Sequence, residues 1–178
     1  MGRLEGRVAI VTGASGALGR AIATALAAED AAVIVHYGSN RDAAEAVVDA
    51  IRGKGGRAQS AQADLSVPDQ AQRLVEAATS AFGGVHVLVN NAGITRDTLV
   101  LRMKEEDWET VISTNLSGAF YCTKAVLREF VRRRGGRIIN ITSVHEDWPM
   151  PDNTAYCLSK GGMRMLTRTA GVELAPRK

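Results

Sequence analysis

Short strand-like segments, most of them apolar, alternate along the chain with longer stretches whose apolar residues return every three or four positions. The runs "RVAIVT" (7–12), "AAVIVHY" (31–37), "GRAQSAQAD" (56–64), "VHVLVNN" (85–91) and "GRIINIT" (136–142) have strand length, and most are rich in β-branched residues. Between them, residues 17–29, 41–53, 68–82, 105–134 and 153–174 are Ala-rich and follow the helical period. Strands that read as continuous apolar runs are buried on both faces. Separated by helices of this length, they predict right-handed βαβ crossovers and a parallel sheet with helices on both sides. No internal repeat, low-complexity tract or linker interrupts the pattern, so residues 1–178 read as a single domain.

Composition points to an aliphatic core: 46% of the 178 residues are hydrophobic but only 4% are aromatic. A net charge of +3 suits a small anionic ligand and falls far short of a nucleic-acid footprint. Arg132, Arg133, Arg134 and Arg137 read as the solvated end of a helix. The two cysteines, Cys122 and Cys157, form no spaced framework, which favours a reducing cytoplasm. No signal peptide and no run of membrane-spanning length is present, and no metal site is expected.

The turn after the first strand reads "TGASGALG" (12–19). Glycine belongs where a chain turns tightly and where backbone N–H groups approach a pyrophosphate at a helix N-terminus. The general dinucleotide spacing G-x-G-x-x-G is not met, because Ser15 stands at its second glycine. Gly13, Gly16 and Gly19 leave a looser spacing, which fits either phosphate binding or a plain strand-to-helix turn. The second strand runs into "VHYGSNR" (35–41), with no acid before Asp42. An acid at that place would bind the ribose 2′-hydroxyl of NAD. Ser39, Asn40 and Arg41 instead offer donors and a positive charge to the 2′-phosphate of NADP. Arg41 is the strongest of the three, since Ser39 and Asn40 serve equally as a turn and helix cap.

"NTAYCLSKGG" (153–162) places Tyr156 and Lys160 four apart, on one face of a helix. A phenol stacked on an ammonium is either two solvated side chains or a proton-transfer pair. Taken with "TGASGALG", "NNAG" (90–93), "TNLSGAF" (114–120) and Ser143, thirteen residues before Tyr156, the pair resembles the short-chain dehydrogenase/reductase family. The resemblance runs from residue 4 to residue 178. It departs at Ala17, where the family's T-G-x-x-x-G-x-G has glycine, so a methyl slightly crowds the phosphate turn.

That resemblance implies an α/β, doubly wound, Rossmann-type parallel sheet of order 3-2-1-4-5. It also implies a nicotinamide cofactor, NADP(H) preferred and NAD(H) possible. Gly13, Ser15, Gly16, Ala17, Leu18 and Gly19 would hold its phosphates. Ser39, Asn40, Arg41, Asp64 and Leu65 would meet the adenosine end, and Asn91, Ala92 and Gly93 would flank it. Asp64 either meets the adenine amino group or caps the helix near Pro68. Asn90 is expected to brace Thr12 and the central sheet. Tyr156 would be the acid/base. A free phenol titrates near 10, so work near pH 7 asks for a depression of about three units. A cation about 4 Å away at an effective dielectric of about 20 supplies about that much, which is the role for Lys160. Ser143, at the carboxyl edge of the fifth strand, would hold the substrate oxygen. Asn115, a poor helix former in a helical stretch, would carry through its side chain or backbone a water that relays protons to Lys160.

Substrate signals divide. "NNAGITRDTLVLRMKEEDWETVISTNL" resembles 3-oxoacyl-(acyl carrier protein) reductases, whereas "TSVHEDWPMPDNTAYCLSKGGM" resembles glucose 1-dehydrogenases, with His145 and Glu146 available to sugar hydroxyls. The leading expectation is a small-molecule carbonyl or alcohol substrate of the 3-oxoacyl type, which acyl carrier protein can carry. A sugar dehydrogenase is the alternative, and a non-catalytic dinucleotide-binding protein is the reading from another class. The family's subunit contacts imply a homodimer or homotetramer pairing 105–134 and 153–174. Family members continue beyond a segment like "GVELAPRK" into a sixth strand, a substrate-covering loop and a seventh strand. A truncated form lacking strands 6 and 7, with "GRIINIT" as a sheet edge, is therefore expected.

Overall fold

The computed structural model describes residues 2–175. Its strands β1 (Val8–Val11), β2 (Ala32–Tyr37), β3 (Arg57–Gln62), β4 (Val87–Asn90) and β5 (Arg137–Asn140) pair in parallel in the order β3-β2-β1-β4-β5. The helices are α1 (Ala17–Ala28), α2 (Arg41–Arg52), α3 (Pro68–Phe82), α4 (Glu105–Ile112), α5 (Gly118–Arg133) and α6 (Thr154–Leu174). Strand pleating divides the apolar residues between two cores. Ile10, Ile34 and Leu88 face Leu74 of α3 and Val126 of α5. Val11, Val33, Val35 and Val89 face Ala23 of α1 and Val48 and Ile51 of α2. Among the described residues, no helix is long and apolar enough to cross a membrane.

The strands and the first three helices fall within one or two residues of their sequence-based limits, but the stretch 105–134 is not one helix. It breaks at a π-turn, Ser113–Ser117, where the N–H of Gly118 reaches the Ser113 carbonyl five residues back. Two contacts account for the widening. The Asn115 side chain is drawn inward to the backbone of Ile94, accepting from its N–H at 2.8 Å and donating to its carbonyl at 2.9 Å. Gly118 lies so close to Leu65 that a Cβ there would sit 2.9 Å from the Leu65 Cβ. Tertiary contact has overridden helix continuity, as is usual at π-bulges.

β1 is held at both ends by histidine. His86 Nδ1 accepts the Val8 N–H at 3.1 Å, and His36 Nδ1 accepts the Gly13 N–H at 2.9 Å. Both imidazoles must be neutral to accept. Burial pushes the His36 imidazole below its ordinary value, offset in part by its bond to Ala63. Burial, then the positive charges of Arg133 and Arg7, lower that of His86. With folded values below the unfolded one, the unfolded chain binds more protons, so stability is complete above about pH 6.5 and declines as pH falls below it. The urea midpoint should therefore drop between about pH 7.5 and about pH 5.5, and the double variant His36→Asn/His86→Asn should show a flatter profile. Equal slopes in the two proteins would refute the histidine linkage.

Candidate active site

The carboxyl edge of the sheet opens between β1 and β4, where the chain order reverses, the usual place for a ligand in such folds. Gly13 turns there in the left-handed region, φ +62°, and a Cβ on it would sit 2.9 Å from the Ala92 backbone. Gly16 caps α1 with no side-chain hydrogen bond, leaving the first amides of the helix open to an anion. Gly19 is buried one turn on, and a Cβ there would stand 2.4 Å from the Gly13 carbonyl oxygen and 2.6 Å from Asn91 Nδ2. Both glycines are therefore required by close approach. Ala17 is solvent-exposed, so its methyl meets no protein atom that would close the turn.

The cleft continues past Gly38, Ser39, Asp64 and Leu65 in one direction and past Asn91, Ala92, Gly93 and Ile94 in the other. Asn91 stitches its floor: Nδ2 donates to the Thr12 carbonyl at 2.9 Å, and the Asn91 and Ala92 N–H groups reach Thr12 Oγ1 at 2.9 and 3.0 Å. This corrects the expectation that Asn90 braces Thr12, while its bracing of the sheet holds. Asn90 lies on the α5 face of the sheet and donates to Asn140 Oδ1 at 2.8 Å and, more weakly, toward Thr123 and Ala119. It braces β5 and α5, and Asn91 holds Thr12.

At the adenosine end, Asn40 spends its side-chain oxygen on the N–H of Ala43 as the cap of α2. Arg41 begins that helix with its guanidinium exposed, loosely paired with Glu45 at 3.9 Å. Asp64 does not cap α3. Its Oδ1 closes a turn with the N–H and hydroxyl of Ser66, at 2.9 and 2.6 Å, and those bonds lower its pKa. α3 is entered instead through Val67 with Pro68 in its first turn.

At the other end of the cleft lies a buried cation. Lys160 is 3% exposed, and its Nζ donates to the Ile141 carbonyl at 2.6 Å. It has no carboxylate partner among the described residues, and burial lowers its pKa. Nζ lies 5.6 Å from the centre of the Tyr156 ring, within cation–π range. A Cβ on Gly93 would come within 3.7 Å of Nζ and 3.5 Å of Asn115 Oδ1, so the cleft wall borders both groups. Asn115 is fully buried, and its Nδ2 also donates to Ser159 Oγ at 3.1 Å. Ser159 in turn donates to the Tyr156 carbonyl at 2.7 Å.

Ser143 follows β5 and accepts the His145 N–H on Oγ at 3.2 Å, which leaves its own hydroxyl hydrogen uncommitted. The His145 ring sits edge-on to Tyr156 with centres 6.4 Å apart, so Ser143 and Tyr156 flank one histidine. His145 Nδ1 is paired with the Trp148 carbonyl at 3.0 Å. Glu146 and Asp147 are both tied to Arg164 of α6. The close approach of α6 to Leu116 is permitted by Gly162, where a Cβ would stand 2.8 Å from the Leu116 side chain. Ser143, Tyr156, Lys160 and Asn115 are thus brought to one end of the cleft, while Arg41 remains on the surface beyond the other.

Sequence reasoning missed His36 and Ser159. The signals were present: a lone histidine near the end of an otherwise apolar strand, and a serine three residues after Tyr156 on the buried side of its helix.

A family model described as short chain dehydrogenase matches residues 7–178, and the chain belongs to that family. It is 47% identical over 177 residues to a 3-oxoacyl-[acyl-carrier-protein] reductase of Synechocystis sp., covering 99% of this chain and 72% of that protein. It is 46% identical over 169 residues to the corresponding reductase of Staphylococcus epidermidis, covering 95% of this chain and 69% of that one. The crystal structure of a short chain dehydrogenase from Mycobacterium avium superposes with a TM-score of 0.93 at 37% identity, covering 99% of this chain and 65% of that one. The chain therefore spans about two thirds of the length of such relatives.

Proposed function

We propose that this chain supplies the cofactor-binding and proton-transfer machinery of an NADP(H)-preferring carbonyl reductase acting on 3-oxoacyl thioesters. The observation that carries this reading is the Lys160 ammonium, buried between the cleft wall at Gly93 and the Tyr156 ring with only a carbonyl to meet it. Burying a cation without a counter-ion is costly, and a chain keeps such a group where chemistry uses it. A non-catalytic dinucleotide binder has no need of it.

The cleft suits a dinucleotide: two glycines that admit no Cβ, an uncapped helix N-terminus, and polar groups at the far end. Gly13, Ser15, Gly16, Ala17, Leu18 and Gly19 would hold the phosphates, Asp64 and Leu65 the adenosine, and Asn91, Ala92 and Gly93 the nicotinamide side. A nicotinamide cofactor held there would supply the hydride for the carbonyl carbon. Ser143 donates its free hydroxyl hydrogen to the substrate oxygen and orients it. Tyr156 gives its phenolic proton to that oxygen as the alcohol forms. Lys160 stabilises the phenolate left behind and offers its remaining N–H donors to the cofactor ribose. The Asn115 side chain is wholly engaged with Ile94 and Ser159, which favours its backbone carbonyl as the holder of a relaying water.

The similarity to 3-oxoacyl-[acyl-carrier-protein] reductases supports a thioester over a sugar. Acyl carrier protein is the fitting carrier for the substrate. Assembly as a homodimer or homotetramer belongs to the same reading, with exposed Phe120 and Val131 on α5 and Leu158 and Met165 on α6 as the apolar surface. Offered acetoacetyl thioesters with NADPH and aldoses with NADP+ in parallel, the protein should turn over the thioester; turnover of aldoses alone would replace this reading with a sugar dehydrogenase. Arg41→Ala should weaken NADPH binding by about 1.5–3 kcal/mol, the usual worth of a hydrogen bond to a charged group, and leave NADH nearly unchanged. Equal losses for the two cofactors would show that Arg41 does not read the 2′-phosphate.

A further inference from the structure

His36 is the penultimate residue of β2, beneath the cleft, and is 3% exposed. Its imidazole joins the two arms of the cleft. Nδ1 accepts the Gly13 N–H at 2.9 Å, and Nε2 pairs with the Ala63 carbonyl at 3.0 Å. Since Nδ1 must accept, the proton resides on Nε2, and two backbone partners fix one tautomer. The His36 carbonyl adds a third bond, accepting the Ala14 N–H at 2.9 Å. Gly13 is the left-handed residue at which the phosphate turn starts, and Ala63 directly precedes Asp64 at the adenosine end.

We infer that His36 is a positioning residue for the dinucleotide, a neutral strut that sets the spacing between the phosphate-binding turn at Gly13 and the adenosine-binding segment at Ala63–Asp64. This rests on the reading of the cleft as the NADP(H) site. A neutral imidazole at this place carries no charge to the ligand and need not touch it. Its effect passes through the direction of the Gly13 amide and the separation of the two arms. The strut therefore governs affinity for the whole cofactor and leaves proton transfer at Tyr156, at the other end of the cleft, unaltered.

Three variants separate this role from general stability. In His36→Asn the side-chain oxygen can still accept from Gly13 but cannot reach Ala63. His36→Gln reaches toward Ala63 and withdraws the acceptor from Gly13. His36→Leu removes both bonds. NADPH affinity, measured by fluorescence titration on proteins whose melting temperatures are recorded alongside, should fall about tenfold or more in the Leu variant, by at least threefold or so in Gln, and least in Asn. With saturating NADPH, kcat should stay within about twofold of the unsubstituted protein, so that the loss resides in cofactor KM. If Leu fails to fold, the ordering of Asn above Gln carries the test. Affinities equal to the unsubstituted protein, or losses that follow melting temperature and not the Gly13 acceptor, would overturn the inference. Failure of the unsubstituted protein itself to bind NADPH would overturn the reading of the cleft on which it rests.

Discussion

The site is organised around a charge that the fold buries without neutralising. Lys160 enters the interior on α6 and meets one backbone carbonyl, that of Ile141 just beyond β5. Removing an ammonium from water costs several kcal/mol even after local relaxation, and no carboxylate offsets it among the described residues. The surrounding structure is what makes the position tenable. Asn115 turns inward at a π-turn and locks Ile94 to Ser159, while Gly162 lets α6 seat closely on Leu116. Loosening any of these would let the ammonium relax toward solvent and part from the phenol.

The other half of the cleft is built on an opposite principle. Around Gly13 no side-chain charge is buried, and the groups left open to a ligand are backbone amides at the start of α1. Those partial charges favour anions without a counter-cation. Thr12, Asn91 and His36 use neutral side chains to aim the backbone, so the phosphate turn is stiff but uncharged. A dinucleotide lying across the sheet edge would thus meet dipoles at one end and a formal charge at the other, near the reacting groups.

Much of this was legible in the residue pattern because the central strands β1 and β2 are buried on both faces. Continuous runs such as "AAVIVHY" leave few alternatives to a central parallel strand. The spacing of Tyr156 and Lys160 likewise specifies one helical face. What escaped the pattern depends on tertiary partners. Asn115 looks like a polar residue in a helix until Ile94 is placed beside it, and only then does the break at 113–117 have a cause. Asn90 and Asn91 are adjacent and chemically identical, and strand parity alone separates them. Asn90 shares its face with Leu88 and points at α5, so the bond to Thr12 falls to Asn91 beyond the strand. Asp64 was ambiguous between adenine and a helix cap; the structure gives one of its oxygens to Ser66 and enters α3 through Val67, so it is not the cap.

The central claim is that the Tyr156 hydroxyl, set beside the buried Lys160, delivers the proton. Tyr156→Phe removes that one oxygen and keeps the ring that packs against His145. Single-turnover reduction of an acetoacetyl thioester, with NADPH pre-bound and its affinity measured separately, tests the claim most directly. The account predicts a loss of about 10²- to 10⁴-fold in the hydride-transfer rate with NADPH affinity nearly unchanged. A variant that reduces the thioester within a few-fold of the unsubstituted rate would contradict it.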